Sequence, residues 1–228
     1  MNRNKAIIVL IVILVLVAAG GIYFLSVRDK NDTKVGGNWD DPEYVFDIKI
    51  PEDFDEGKLE RVNMKMDEAR ALFENRHEDS WAWITLGNLY EFVYDDDRAA
   101  VAYEKALDVS PYSITAVLNL ASLYERHEDF GQAEYYYKRA IEVNSSSPDP
   151  YDRLAKFYYQ KLKDNEKAEQ VYLEGLQNIP DHPDLLVNII RFYERTNNRE
   201  RQVFYAKRLL ELYPDNEAYK SDFGPLVN

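Results

Sequence analysis

The sequence predicts an all-α protein, an N-terminal transmembrane helix followed by an α-solenoid of antiparallel helix pairs, about four repeated units with capping helices. Three observations predict it. Residues 6–27 run without a charged side chain and are dominated by Ile, Val and Leu. From Ser80 onward, large and small apolar residues recur at helical spacing. That pattern then returns in steps of about 34 residues as far as Asn216.

After the short tail Met1 to Lys5, a helix over residues 6–27 would span roughly 33 Å at a rise of ~1.5 Å per residue, against a hydrocarbon core of about 30 Å. A cleaved signal peptide is the competing reading, with small residues at Val17-Ala18-Ala19. Apolar character continues through Ile22-Tyr23-Phe24-Leu25, beyond the ~7–15 residue core of a signal, and this favours an uncleaved anchor. Arg3 and Lys5 on one side nearly balance Arg28, Lys30 and Lys34 on the other. A short basic tail stays in the cytoplasm while the long C-terminal part threads across, so the expectation is a single-pass protein with its repeats outside the cytoplasm.

Residues 28–56 read as an acidic tether, with Gly36-Gly37, Pro42, Pro51 and carboxylates from Asp40 to Glu56. Inside it Tyr44, Phe46, Ile48 and Ile50 alternate with Val45, Asp47 and Lys49, the period of an extended strip with one apolar face. That face either packs on the domain or occupies its groove. Over residues 57–79, Leu59, Val62, Met66, Ala69, Leu72 and Phe73 predict an amphipathic capping helix.

Residues 80–113 form one complete unit. Counting from Ser80, Trp83, Leu86 and Tyr90 stand at positions 4, 7 and 11, Gly87, Ala99 and Ala106 at 8, 20 and 27, with Tyr103 at 24 and Pro111 at 32. Two antiparallel helices approach closely only where side chains are small, and the large residues fill the remaining space. The pattern resembles the tetratricopeptide repeat at every signature position. Further units follow at 114–147, 148–182 and 183–216. The third has one extra residue, assigned to its turn, which moves Ala168, Tyr172, Gly175 and Pro180 by one. The fourth diverges, with Ile190, Gln202, Ala206 and Leu209 at signature positions, as suits a terminal unit over which residues 217–228 fold back.

The resemblance implies a scaffold that binds a protein partner, an extended peptide or helix, in a concave groove lined by the first helix of each unit. Its lining offsets give Trp81, Ile84, Asn88 and Phe92, then Ser122 and Arg126, then Lys156 and Tyr159, then Arg191, with Arg195 beside it. One known use of such grooves is a two-carboxylate clamp, and Asn88, Asn119 and Arg153 match its Asn, Asn and Arg. Ile84 and Asp149 replace both of its lysines, which removes most of the attraction for a dianionic tail. With the membrane span, the expected setting is an envelope assembly or secretion complex. The alternative is a spacer that self-associates as a homo-oligomer, or whose tether closes its own groove.

Composition narrows the function classes. The net charge of −13, with +3 over residues 1–34, leaves −16 for the remainder, which disfavours nucleic acid as a partner. There is no cysteine, and His77, His127 and His182 lack metal-ligand spacing. With no glycine-rich phosphate loop and no GxSxG elbow, the expectation is a non-enzyme without metal or cofactor. Asp95-Asp96-Asp97, and the twin tetrapeptides ending in Asp79 and Asp129, read as turns with helix-capping aspartates.

Overall fold

A computed structural model describes residues 37–76 and 79–227. The predicted membrane span at 6–27 lies outside the described residues, and among those described no helix is long and apolar enough to cross a membrane. The described residues are helical, with no strand. The chain divides into two compact units, one ending at Lys105 and the other running from Ala106.

In the amino-terminal unit, a single helical turn α1 (Pro42–Val45) precedes α2 (Glu56–Arg76), α3 (Ser80–Phe92) and the start of α4 (Asp96–Val109). The strip read as extended is therefore partly helical. Asp41 accepts a hydrogen bond from the Glu43 N–H and Pro42 sits in the first turn, so the chain starts a helix there. Winding brings the adjacent residues Val45 and Phe46 inside, at 1% and 9% exposure, while Ile50 remains 38% exposed. Alternation fails for that reason. The segment is a strap rather than a tether. The buried Tyr90 hydroxyl donates to the Val45 carbonyl at 2.6 Å, and the Arg98 guanidinium donates to the Asp47 carbonyl at 2.7 Å. Trp39 meets Trp83 and Tyr90, and Phe46 meets Phe73 edge-on. Helix α2 packs along α3, with Phe73 against Trp83 at 4.8 Å.

Gly87 justifies the close crossing of α3 and α4. A Cβ built on it would lie 2.4 Å from the Tyr103 ring, so only glycine leaves that ring its place.

The carboxy-terminal unit stacks three hairpins in chain order, α5 (Ile114–Arg126) with α6 (Phe130–Val143), α7 (Pro148–Phe157) with α8 (Asn165–Asn178), and α9 (Pro183–Arg195) with α10 (Arg199–Leu212). Helix α11 (Glu217–Val227) packs on α10. Its Phe223 joins Leu186, Ile190, Ala206 and Leu209 in one buried cluster. Where the other units carry a tyrosine, Ala206 leaves space, and the ring of Phe223 contributes apolar volume beside it.

One turn is used in all four hairpins. Tyr94, Glu128, Lys163 and Asn197 take left-handed backbone, with φ of 64°, 58°, 56° and 56°. Each is followed by a capping residue, Asp95, Asp129, Asp164 or Asn198, whose side chain accepts the N–H three residues on at 3.2, 3.2, 2.9 and 3.2 Å. The cap's own N–H donates back to the carbonyl of Tyr90, Tyr124, Tyr158 or Tyr193 at 2.9–3.0 Å, closing the preceding helix. The extra residue of the third unit is not in this turn. It is absorbed inside the helix as a π segment, Tyr158–Leu162, and the bond from Asp164 to Tyr158 forms as in the other three.

Candidate partner-binding face

The predicted face residues fall into two different environments. In the amino-terminal unit, Ile84 is 2% exposed and so lines no open surface, a correction to its place among the groove residues. Phe92 is half-buried. Phe54 of the strap meets its ring edge-on at 5.8 Å, and the cationic ends of Arg61 and Lys65 from α2 lie over it at 5.6 and 5.5 Å. Asn88 is exposed, with its side-chain oxygen 2.8 Å from the Tyr103 hydroxyl, whose single proton is shared between Asn88 and Glu91. Trp81 alone of these four keeps a large exposed surface, at 50%. The strap and α2 thus cover Phe92, and with Ile84 buried the apolar part of this face that stays open is Trp81.

In the carboxy-terminal unit, Glu125 accepts from the Tyr137 hydroxyl at 2.7 Å, and Ser122 donates to the same oxygen. Asn119 is half-buried and Arg126 exposed. Arg153 is exposed and paired with Asp149 at 2.9 Å. The residue that fills a missing lysine position of the clamp therefore neutralises the clamp's own arginine. Lys156 pairs with Asp152 at 2.6 Å, and the same carboxylate accepts the Tyr172 hydroxyl at 3.1 Å. Both ion pairs are (i, i+4) on α7 and were readable from the sequence.

Three of the predicted residues meet. Lys156, Tyr159 and Arg191, with Tyr172, Asn188, Phe192 and Arg195, line one depression of about 50 Å³ between the first helices of two successive hairpins. Tyr159 meets Phe192 edge-on at 5.8 Å, giving the depression an aromatic floor. Arg191 and Arg195 are one turn apart on α9, both exposed, and neither forms an ion pair with a described residue. Burial pushes the Tyr172 hydroxyl well above its ordinary range, with Asp152 adding to the rise and Arg195 opposing it, so that it stays a neutral donor. Asn188 and Phe192 were not on the predicted face. Asn188 lies three residues before Arg191 and four before Phe192 on α9, and these spacings are the signal that brings it beside both.

Among the described residues, no group of three or more His, Asp or Glu side chains is placed to hold a metal ion. Asp79 and Asp129 both cap helices, accepting from the Trp81 and Gln132 N–H groups at 2.9 and 3.2 Å.

Residues 114–147 and 148–182 match the family model described as tetratricopeptide repeat. Over 137 residues the chain is 30% identical to the general transcriptional corepressor ssn6 of Schizosaccharomyces pombe, a stretch that takes in 59% of this chain and 12% of that protein. The chain thus spans about an eighth of that relative's length. In structure it resembles a chain of the APC/C hetero-tetramer Cut9-Hcn1, with a TM-score of 0.52 and 17% identity over 72% of this chain and 33% of that one. It also resembles a thermophilic TPR protein of Thermus thermophilus, with a TM-score of 0.50 and 16% identity over 74% and 92%. At these identities the structural likeness is one of fold. Residues 114–182 are thus similar to tetratricopeptide repeats, and the fold around them is all-helical and tetratricopeptide-like.

Proposed function

We propose that this chain is a non-catalytic scaffold that holds a segment of another protein against the first helices of its carboxy-terminal repeats. The observation that carries this reading is the depression formed by Lys156, Tyr159, Asn188, Arg191 and Arg195, where polar side chains converge over an aromatic floor. The relative ssn6, a transcriptional corepressor, supports the repeat scaffold through the shared segment, while its own activity belongs to a far longer protein. A photo-crosslinking residue at Asn188 in the full chain, expressed in its host, tests the proposal. Capture of one protein through a defined segment is expected. Capture of nothing above a control with the crosslinker at the exposed Lys207 would overturn it.

In this reading residues 6–27 anchor the chain in a membrane with the repeats outside the cytoplasm, in an envelope assembly or secretion complex. A protease-sensitive tag after Asn228 should be cut on intact cells. Protection until the membrane is opened would reverse the orientation.

The spacer reading is favoured for the amino-terminal unit alone, because the strap and α2 cover Phe92 and because Ile84 is buried.

A further inference from the structure

We infer that the face around Arg191 and Arg195 takes an extended acidic peptide with two carboxylates separated by one residue. The inference rests on the protein-binding reading and names the partner's chemistry. In a chain with 41 acidic and 28 basic side chains, most cations on this face are already matched, Arg153 by Asp149, Lys156 by Asp152 and Lys161 by Glu125. Arg191 and Arg195 are the exception on α9, with no ion-pair partner among the described residues. Both guanidiniums are exposed, so holding them unpaired costs little in the free protein, and each keeps its planar donor fork for an incoming carboxylate.

Spacing then selects the peptide. Four residues of helix separate the two arginines by about 6 Å along the axis. In an extended chain, side chains two residues apart share a face and lie roughly 6.6 Å apart. A Glu-x-Glu segment laid along α9 therefore offers one carboxylate to each arginine, whereas adjacent glutamates point to opposite faces. Asn188 lies one turn before Arg191 and can serve the peptide backbone as donor and acceptor. Tyr159 and Phe192 form an apolar floor beneath it. These residues differ from the clamp positions weighed from the sequence, where Ile84 is buried and Arg153 is already paired.

The probe is a fluorescein-labelled peptide, Gly-Glu-Ser-Glu-Gly, titrated by anisotropy against the full chain at low salt. Two controls are Gly-Gln-Ser-Gln-Gly and the equally charged Gly-Glu-Glu-Ser-Gly. Binding about tenfold tighter than to the glutamine control, and tighter than to the adjacent-glutamate control, is expected, with weakening as salt rises. Arg191→Glu with Arg195→Glu should abolish the preference, while Lys207→Glu should leave it within about twofold. Circular dichroism of each variant should match the parent, since all three residues are exposed. Equal binding of the glutamate and glutamine peptides, or a preference untouched by the double reversal, would overturn the acidic assignment. Equal binding of the two glutamate peptides would overturn the spacing. None of these failures touches the crosslink from Asn188, which decides separately whether the face binds a protein at all.

Discussion

Two first helices with equivalent places in their repeats, α3 in the amino-terminal unit and α9 in the carboxy-terminal unit, meet opposite fates. The face of α3 is apolar, and its own chain attends to it: α2 packs along it, Phe54 and Arg61 cover Phe92, and Ile84 is buried. The face of α9 is charged and keeps two exposed arginines beside a small aromatic depression. The difference teaches that groove offsets within a repeat identify which residues share a face, while occupancy is decided by what flanks the repeat in sequence. An apolar face exposed to water favours being covered, at roughly 25 cal/mol per Å². An arginine pair is well solvated and stays open.

The largest expected effect comes from alkali. Burial raises the hydroxyls of Tyr137, Tyr158, Tyr172 and Tyr193 in the carboxy-terminal unit, and that of Tyr90 in the amino-terminal unit, above tyrosine's ordinary value of 10.0. A group held protonated in the folded state contributes stability below its unfolded value, and that stability is lost as pH rises beyond it. Above about pH 10, unfolding should therefore begin in residues 106–227, with tyrosinate absorbance and loss of helix rising together. Tyrosinate appearing in full while the helix signal persists would break the comparison.

Next is the strap. Val45 is 1% exposed, and Val45→Asp places a carboxylate in that apolar site, which should cost a few kcal/mol. Dye binding and proteolysis should then rise within residues 37–105, with hydrogen exchange in α7 to α10 unchanged. An unaltered protease pattern would show that the strap is dispensable to its unit.

Glycine replacements come third. At Gly87 an added Cβ meets the Tyr103 ring at 2.4 Å, whereas at Gly175 it meets Tyr151 and Leu185 at 3.0 and 3.2 Å. Gly87→Ala should destabilise by about 1–3 kcal/mol and Gly175→Ala by less, since better helix propensity offsets the tighter contact there. Thermal melts of the two variants in the reverse order would refute this account of the crossings.

The smallest effect separates the two turns. Glu128→Gly relieves a left-handed backbone on an exposed residue and should stabilise by up to about 1 kcal/mol. Tyr94→Gly relieves the same strain but loses the edge contact with Phe54 at 5.5 Å, so its gain should be smaller or reversed. Equal gains in chemical denaturation would remove Phe54 from the argument.

The hairpins were legible because their signals are local. Gly87 and Gly175 mark crossings, and Asp95, Asp129, Asp164 and Asn198 mark helix starts, each acting on neighbours a few residues away or across one hairpin. The strap was not legible as such, because the burial of Val45 and Phe46 depends on Phe73 and Tyr90, which lie far along the chain. Its alternation of residue types was real, but a two-residue period carries no information about whether a proline-led turn precedes it. On the candidate face, Lys156, Tyr159 and Arg191, taken from the offsets, line one depression. The offsets could not tell paired from unpaired cations. The (i, i+4) acid–base pairs on α7 would have done so for Arg153 and Lys156.

The π segment at Tyr158–Leu162 has a consequence for how this chain changes length. In a loop, an inserted residue lets the next helix start at a new angle. Inside a helix, a single wide turn swallows it, and the Asp164 N–H still finds the Tyr158 carbonyl. The repeat is therefore metred from bond to bond rather than by residue count, much as a musical bar can hold an extra note without shifting the beat. Insertions that land within one turn of that tyrosine are mutations of length without mutations of phase. The bond that closes the first helix of the unit is kept, and Asp164 caps the second as its counterparts do.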